Sequence, residues 1–222
     1  MRAELKGLSL DNASVVGRHI LMAGGLIDTD PELAYQHADA ARRRASRIPV
    51  VREAVAETAY ASSHYDVALR EYRALRRMTG GPELIPVIAD CERALGRPRE
   101  ALEVLKELTA TRPPADLRIE GLLVEAGVRK DLGQAGEAQR LLRQAVSQPG
   151  GSKSTRARLI YAYADLLESQ GHMSQARAAF SQAAALDTHA ELDGADRLAA
   201  LDGVVLPEDL TLDDDAATLE EQ

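Results

Sequence analysis

Apolar residues recur along this chain at the spacing of an α-helix, and the helical stretches are interrupted by glycine at a nearly regular interval. Three times a glycine is followed by alanine at +5, a large apolar residue at +9 and a small or apolar residue at +12. The runs are Gly96/Ala101/Leu105/Leu108, Gly133/Ala138/Leu142/Ala145 and Gly171/Ala176/Phe180/Ala183. This spacing predicts a helical hairpin repeated in tandem: glycine turns the chain, alanine lets two helices approach, and the large residue fills the space behind it. Ser63, with Ala68, Tyr72 and Leu75 at the same offsets, begins a fourth copy without the glycine. Turn positions 63, 96, 133 and 171 are 33, 37 and 38 residues apart, against about 34 for repeats of this type, and the surplus falls in the loops.

Further elements follow from the punctuation. The segment 13–23 is periodic, and Gly24-Gly25 is expected to end it. Thr29-Asp30-Pro31-Glu32 reads as a cap with proline at the first helical position, opening a helix to about Arg47 that Pro49 breaks. Ala34, Ala38 and Ala41 on that helix suggest a fifth, degenerate unit. The hairpins fall at about 13–47, 50–78, 82–110, 117–147 and 156–187, separated by Gly80-Gly81-Pro82, Pro113-Pro114 and Pro149-Gly150-Gly151-Ser152. A helix over 190–201 has the polar outer face that a terminal cap needs. The expectation is an all-α solenoid over 1–206, its hairpins stacked in a right-handed superhelix, followed by an acidic, disordered tail over 207–222.

Composition and charge sharpen this picture. Trp is absent and Phe180 is the only phenylalanine, so Ala, Leu and Val carry the core, and each thin hairpin depends on its neighbours. The total charge of −8 hides a division: residues 187–222 hold twelve acids against Arg197 alone, which leaves +3 on the first 186. Within 40–77 nine arginines face four acids. Cys91 is the single cysteine, which excludes an internal disulfide. The longest apolar run, Ile20 to Ile27, is about a third of a membrane span, so a cytoplasmic protein with no membrane association is expected.

With these residues in hand, the chain resembles tetratricopeptide repeat (TPR) proteins. The best match lies in 157–188, where Ile160, Ala164, Leu167, Gly171, Met173, Ala176, Phe180, Ala183 and Asp187 fall at positions of the expected type. The unit turning at Gly96 matches at Ile85, Ala89, Ala101, Leu105 and Pro113. The unit at Gly133 departs, with Glu125 and Arg129 at usually apolar positions, so its packing is expected to shift. More narrowly, segments such as 30–38, 77–81, 89–98 and 201–205 resemble an actinobacterial family of such proteins, a source that the Arg-rich, Lys-poor composition also suits. The resemblance implies a fold and a protein-binding role, with a partner segment held in the concave groove lined by the first helix of each hairpin.

At the groove positions the family's carboxylate clamp would present Lys and Asn. Here they carry Glu53, Glu57, Glu83, Asp90, Glu120, Tyr161 and Asp165, so the clamp is absent. An acidic groove around Glu53, Glu57, Asp90, Tyr161 and Asp165 favours a protein or peptide partner of basic or mixed charge; a merely solvated face is the alternative. Arg70, Arg73 and Arg77 share one helical stripe, and Arg42, Arg43 and Arg44 lie on the preceding second helix. Together they form a basic patch open to RNA, to an acidic protein or to the acidic tail itself, with a solvated arginine face as the plain alternative.

Other motifs carry less. Gly150 to Ser154 imitates a phosphate loop but has Ser152 before Lys153 and no preceding strand. The five histidines (19, 37, 64, 172 and 189) show no ligand spacing, so neither a metal nor a cofactor is expected; His64 and His172 occupy equivalent turn positions. No constellation for catalysis can be chosen, and a non-enzymatic adaptor is the expected function, with an RNA- or ribosome-associated factor as the alternative. If Ala176 and Phe180 lie between helices as the spacing requires, Ala176→Leu will cost about 1–3 kcal/mol and Phe180→Ala about 3–5 in thermal unfolding, and wild-type melting of both would refute that placement.

Overall fold

The computed structural model describes residues 5–203, which form eleven α-helices and, among the described residues, no strand. Helices α1 (Leu10–Leu26) and α2 (Pro31–Ala45) make the first hairpin, α3 (Pro49–Ala61) and α4 (Tyr65–Thr79) the second, and α5 (Ile85–Ala94) and α6 (Pro98–Ala110) the third. The fourth is α7 (Ala115–Asp131) with α8 (Ala135–Ser147), the fifth α9 (Lys153–Ser169) with α10 (Met173–Leu186), and α11 (Gly194–Leu201) packs on α10. Each helix packs on the next in sequence, and the first helices α5, α7 and α9 also touch one another in order. The tail expected over 207–222 lies outside the described residues.

The last four hairpins turn on one left-handed residue. Gly96, Gly133 and Gly171 have φ of 72°, 73° and 79°, and Ser63 adopts the same conformation at 62°. In each case the amide of the following residue reaches back five positions: His64 to the Ala59 carbonyl (2.7 Å), Arg97 to Glu92 (2.9 Å), Gln134 to Arg129 (2.8 Å) and His172 to Leu167 (2.9 Å). This Schellman closure satisfies the last carbonyls of the first helix and aims the chain back along it.

Antiparallel packing then converges on the alanine five residues on. Ala68, Ala101, Ala138 and Ala176 are all buried, as are the +9 residues Tyr72, Leu105, Leu142 and Phe180. The clusters do not respect repeat boundaries. The α3–α4 core includes Ile88 and Cys91 of α5, the α5–α6 core includes Val128 of α7, and the α7–α8 core includes Leu159 and Leu166 of α9. Each hairpin is therefore completed by the first helix of the next, as a thin core demands.

Two expectations are corrected. Gly24-Gly25 does not stop the first helix: α1 continues to Leu26, whose carbonyl accepts from Asp30 N (2.7 Å), and Asp30 caps α2 through Leu33 N (3.0 Å). Burial of Val16 and Ala23 outweighs the roughly 1 kcal/mol that an interior glycine costs a helix. Pro49 does not merely break α2, which ends at Ala45; it occupies the first turn of α3, where its missing N–H leaves no bond unmade.

The unit at Gly133 carries its departures from the pattern on α7, at the contact with α6. Glu125 and Arg129 pair with each other at 3.2 Å along the α6–α7 seam, beside adjoining cavities of about 320 and 510 Å³, and Arg129 Nε is buried without a partner. Elsewhere on that seam α7 approaches so closely that a Cβ on Gly121 would overlap the Leu108 side chain.

A serine in the left-handed conformation carries a strain of roughly 1–2 kcal/mol that glycine does not. Ser63→Gly is therefore expected to raise unfolding stability by about 1 kcal/mol, whereas Gly171→Ala should lower it by a similar amount; an unchanged midpoint in both would show that the turn is unstrained.

Candidate functional site

The expected groove residues Glu53, Glu57, Asp90, Tyr161 and Asp165 lie on the first helices α3, α5 and α9. Charged side chains of α3, α5, α7 and α9 form rungs between successive repeats. Tyr60 on α3 donates to Asp90 on α5, which also accepts from Arg93 Nε (2.8 Å). Arg93 reaches Asp131 at the end of α7 (3.1 Å), and Lys130 reaches Asp165 on α9 (3.2 Å). Arg158 on α9 pairs with Glu120 on α7. These partners lie 30 to 38 residues apart, about one repeat, so similar positions of neighbouring first helices are tied together. The pairs are partly exposed, and each contributes little stability, within about 1 kcal/mol, but they engage Asp90, Glu120 and Asp165, half of the six acids at the expected groove positions.

Of the expected groove residues, Glu53 and Glu57 remain exposed on α3 and make no ion pair among the described residues. Desolvation by the surrounding side chains, then the neighbouring Glu53, push the Glu57 carboxyl above its ordinary range. Burial and the hydrogen bond to Asp90 hold the Tyr60 phenol well above its usual range, which keeps it a donor. Asp90, Asp165 and Tyr161 are engaged within the chain. Tyr161 donates to Asp193 and accepts from Arg197 (3.2 Å). Arg197 also bonds Asp165 (3.3 Å) and Glu168, and its guanidinium lies 5.0 Å over the Phe180 ring. The hydrogen bond to Glu168 leads the causes that raise its pKa. Arg93, Lys130 and Arg197, which do the neutralising, were invisible as groove residues in sequence because each lies off the positions that mark the groove and acts across a helix interface.

Between α7 and α9, and reaching α8, lies a cleft of about 280 Å³. Its apolar lining comes from Leu123 and Ala126 on α7, Ala138 and Leu142 on α8 and Ala162 and Leu166 on α9, with Arg93, Lys130, Tyr161 and Asp165 also bordering it. Gly127 contributes no side chain, and the Arg93 guanidinium lies over it, 3.4 Å from where a Cβ would stand.

The basic residues separate into two groups. Arg42 and Arg43 both bond Asp39, at 2.6 to 2.9 Å, while Arg44 is close enough to His19 to lower its pKa, behind burial and His37. Arg70, Arg73 and Arg77 instead line a separate cleft, joined there by Arg97, a residue the linear stripe did not contain.

Cys91 is fully buried, and burial pushes its thiol to about 12, so it stays protonated. The histidines are not all dispersed: His19 on α1 and His37 on α2 meet with Nδ1 atoms 2.9 Å apart, a pairing across eighteen residues that no sequence spacing signals. His64 and His172 both stand at the start of a second helix, as their equivalent positions suggested, and His64 bonds Glu32 at 2.8 Å. The glycine-rich run ends at Ser152, which caps α9 through Thr155 N, while the Ser152 amide bonds Asp116 (2.6 Å). Among the described residues no three His, Cys, Asp or Glu side chains are grouped to hold a metal, and no helix is long and apolar enough to cross a membrane.

This geometry has counterparts among solved structures. A thermophilic TPR protein of Thermus thermophilus superposes with a TM-score of 0.63 at 20% identity, over 84% of this chain and 98% of that one. PilW, described as a widely conserved type IV pilus biogenesis factor, superposes at 0.56 with 17% identity, over 86% and 87% of the two chains. PilF of Pseudomonas aeruginosa does so at 0.52 with 16% identity, over 87% of each. No family model matches the sequence, and no curated protein does. The chain has the TPR fold, an all-α solenoid of stacked helical hairpins.

Arg197 joins α11 to α9 and α10 through three polar partners and one ring. Arg197→Ala is expected to lower stability by about 1–2 kcal/mol and to speed amide exchange over 194–201 selectively. Unchanged exchange there would show that the arginine does not hold the terminal helix.

Proposed function

We propose that the chain is a non-enzymatic adaptor that holds an extended segment of a protein partner along the face of α3, α5, α7 and α9. The observation that carries this reading is the cleft between α7 and α9, with an apolar lining sized for one or two side chains and charged groups of both signs at its border. Apolar anchors set in a polar rim are the usual source of affinity at such sites. A large apolar residue of the partner enters beside Leu123 and Ala162. Charge then sets direction: Glu53 and Glu57, exposed and without ion partners among the described residues, attract a basic residue toward α3, while Lys130 and Arg93 accept an acidic or polar group beside the anchor. The segment that fits is of mixed charge with a basic end, and a uniformly acidic tail is repelled. The intramolecular rungs hold the first helices in register, so the groove is formed before the partner arrives.

Selection from a random peptide library displayed on phage tests this. Peptides enriched on the full chain should share an apolar residue flanked by basic ones. Ala162→Arg, which fills and charges the cleft, should weaken their binding at least tenfold, and Glu53→Lys with Glu57→Lys should weaken it several-fold in a salt-dependent way. Arg140→Ala, at an exposed position of α8 that does not line the cleft, should leave it unchanged. Enriched peptides that bind Ala162→Arg as well as wild type would overturn the proposal.

A further inference from the structure

A further cleft lies between α4 and the turn joining α5 to α6. It has a volume of about 400 Å³ and is lined by Leu69, Leu95, Asp66 and four arginines: Arg70, Arg73 and Arg77 on α4, and Arg97 at the start of α6. Arg70, Arg73 and Arg77 fall three and four residues apart on one helix, so they share a stripe. Arg97 arrives from the next repeat because the left-handed turn at Gly96 folds it back toward α4.

The guanidinium groups are held in place from below. Glu92, only 2% exposed, accepts from Arg73 on Oε1 and from Arg97 on Oε2 at 3.4 Å. One buried carboxylate thus fixes two cations, and each guanidinium has five N–H donors, most of them left for a ligand. Arg70 makes only a 3.6 Å contact to Glu71, and Arg77 is exposed and makes no ion pair among the described residues. Four positive charges against Asp66 and the buried Glu92 leave the cleft cationic.

From this convergence we infer that the cleft binds a phosphate monoester. A phosphoryl group bears up to two negative charges and three terminal oxygens, which match several forked donors at once. A nucleic-acid backbone fits less well. Arg42 and Arg43 are bound to Asp39 and Arg76 to Glu107, so the cations do not continue into a track, and no aromatic side chain lines the cleft to stack a base. The ligand is one discrete phosphate, borne either by a modified serine, threonine or tyrosine of a protein or by a free small molecule. This site lies apart from the groove of the adaptor reading and stands or falls independently of it.

Arginine Nε–Hε resonances of the isotope-labelled full chain report on the site directly. Titration with inorganic phosphate at about 0.15 M salt should shift the Arg73, Arg77 and Arg97 signals along a saturating curve. Arg77→Gln should weaken that curve at least fivefold without altering the melting temperature, since Arg77 is exposed and makes no ion pair among the described residues. Arg97→Gln should weaken it in the same way, and Arg140→Gln should not. A phosphoserine peptide that binds more tightly than inorganic phosphate, while its serine parent does not bind, assigns the ligand to a modified protein; equal binding of peptide and phosphate assigns it to a free phosphate compound. Shifts that grow linearly without saturating, or affinity retained in both glutamine variants, would refute the site. Oligouridylate binding more tightly than phosphate, with an affinity that falls over several decades as salt rises, would replace it with a polyanion surface.

Discussion

The close approach of two antiparallel helices at one alanine is the contact from which the rest of this molecule is built. Ala68, Ala101, Ala138 and Ala176 are buried to 1% exposure or less, and no larger side chain leaves the neighbouring +9 residue its space. Approach at that point depends in turn on a single left-handed residue that reverses the chain within two positions. A core made this way is thin, since Ala contributes little apolar area. Its deficit is met by the first helix of the following repeat, which supplies Ile88, Val128 or Leu159 to the hairpin before it. Cooperativity along the array follows from that sharing.

The same stacking determines where charge goes. Successive first helices lie side by side, so a residue on one faces its counterpart about one repeat later, and Asp90, Arg93, Asp131, Lys130 and Asp165 become partners by geometry. Weak individually, these pairs turn a groove that looks acidic in one dimension into one of mixed sign. Glu53 and Glu57 make no ion pair among the described residues. On the other surface, Glu92 gathers Arg73 and Arg97 from different repeats and makes a discrete cationic cleft out of what reads as a stripe. Both the rungs and the cationic cleft are thus properties of seams between repeats rather than of any single repeat.

What could be read in advance follows the range of the interactions. Hairpin order, turn positions and buried faces are marked by spacings within twelve residues of each turn, and periodicity with turn chemistry reports those directly. Ser63 shows how far this goes: its offsets to Ala68 and Tyr72 identify the turn despite the missing glycine, and the backbone there is left-handed as in the other units. Gly24-Gly25 shows where it stops, because the local cost of two glycines is overridden by burial of Val16 and Ala23 that no window of sequence displays. The candidate groove residues were identifiable only as a list. Their engagement by Arg93, Lys130 and Arg197 depends on the angle and register at which hairpins stack, and the meeting of His19 with His37 on the register of α1 against α2 within the first hairpin.

By itself, then, the sequence determined a solenoid of helical hairpins, the place of each turn and the small residues on which the hairpins close, because these follow from backbone preference and side-chain volume over short spans. Only the tertiary structure decided which acids keep their charge, where an apolar cleft opens between α7 and α9, and which arginines converge. Those outcomes depend on contacts across repeats, where distances of a few ångströms select one partner among many that composition would allow.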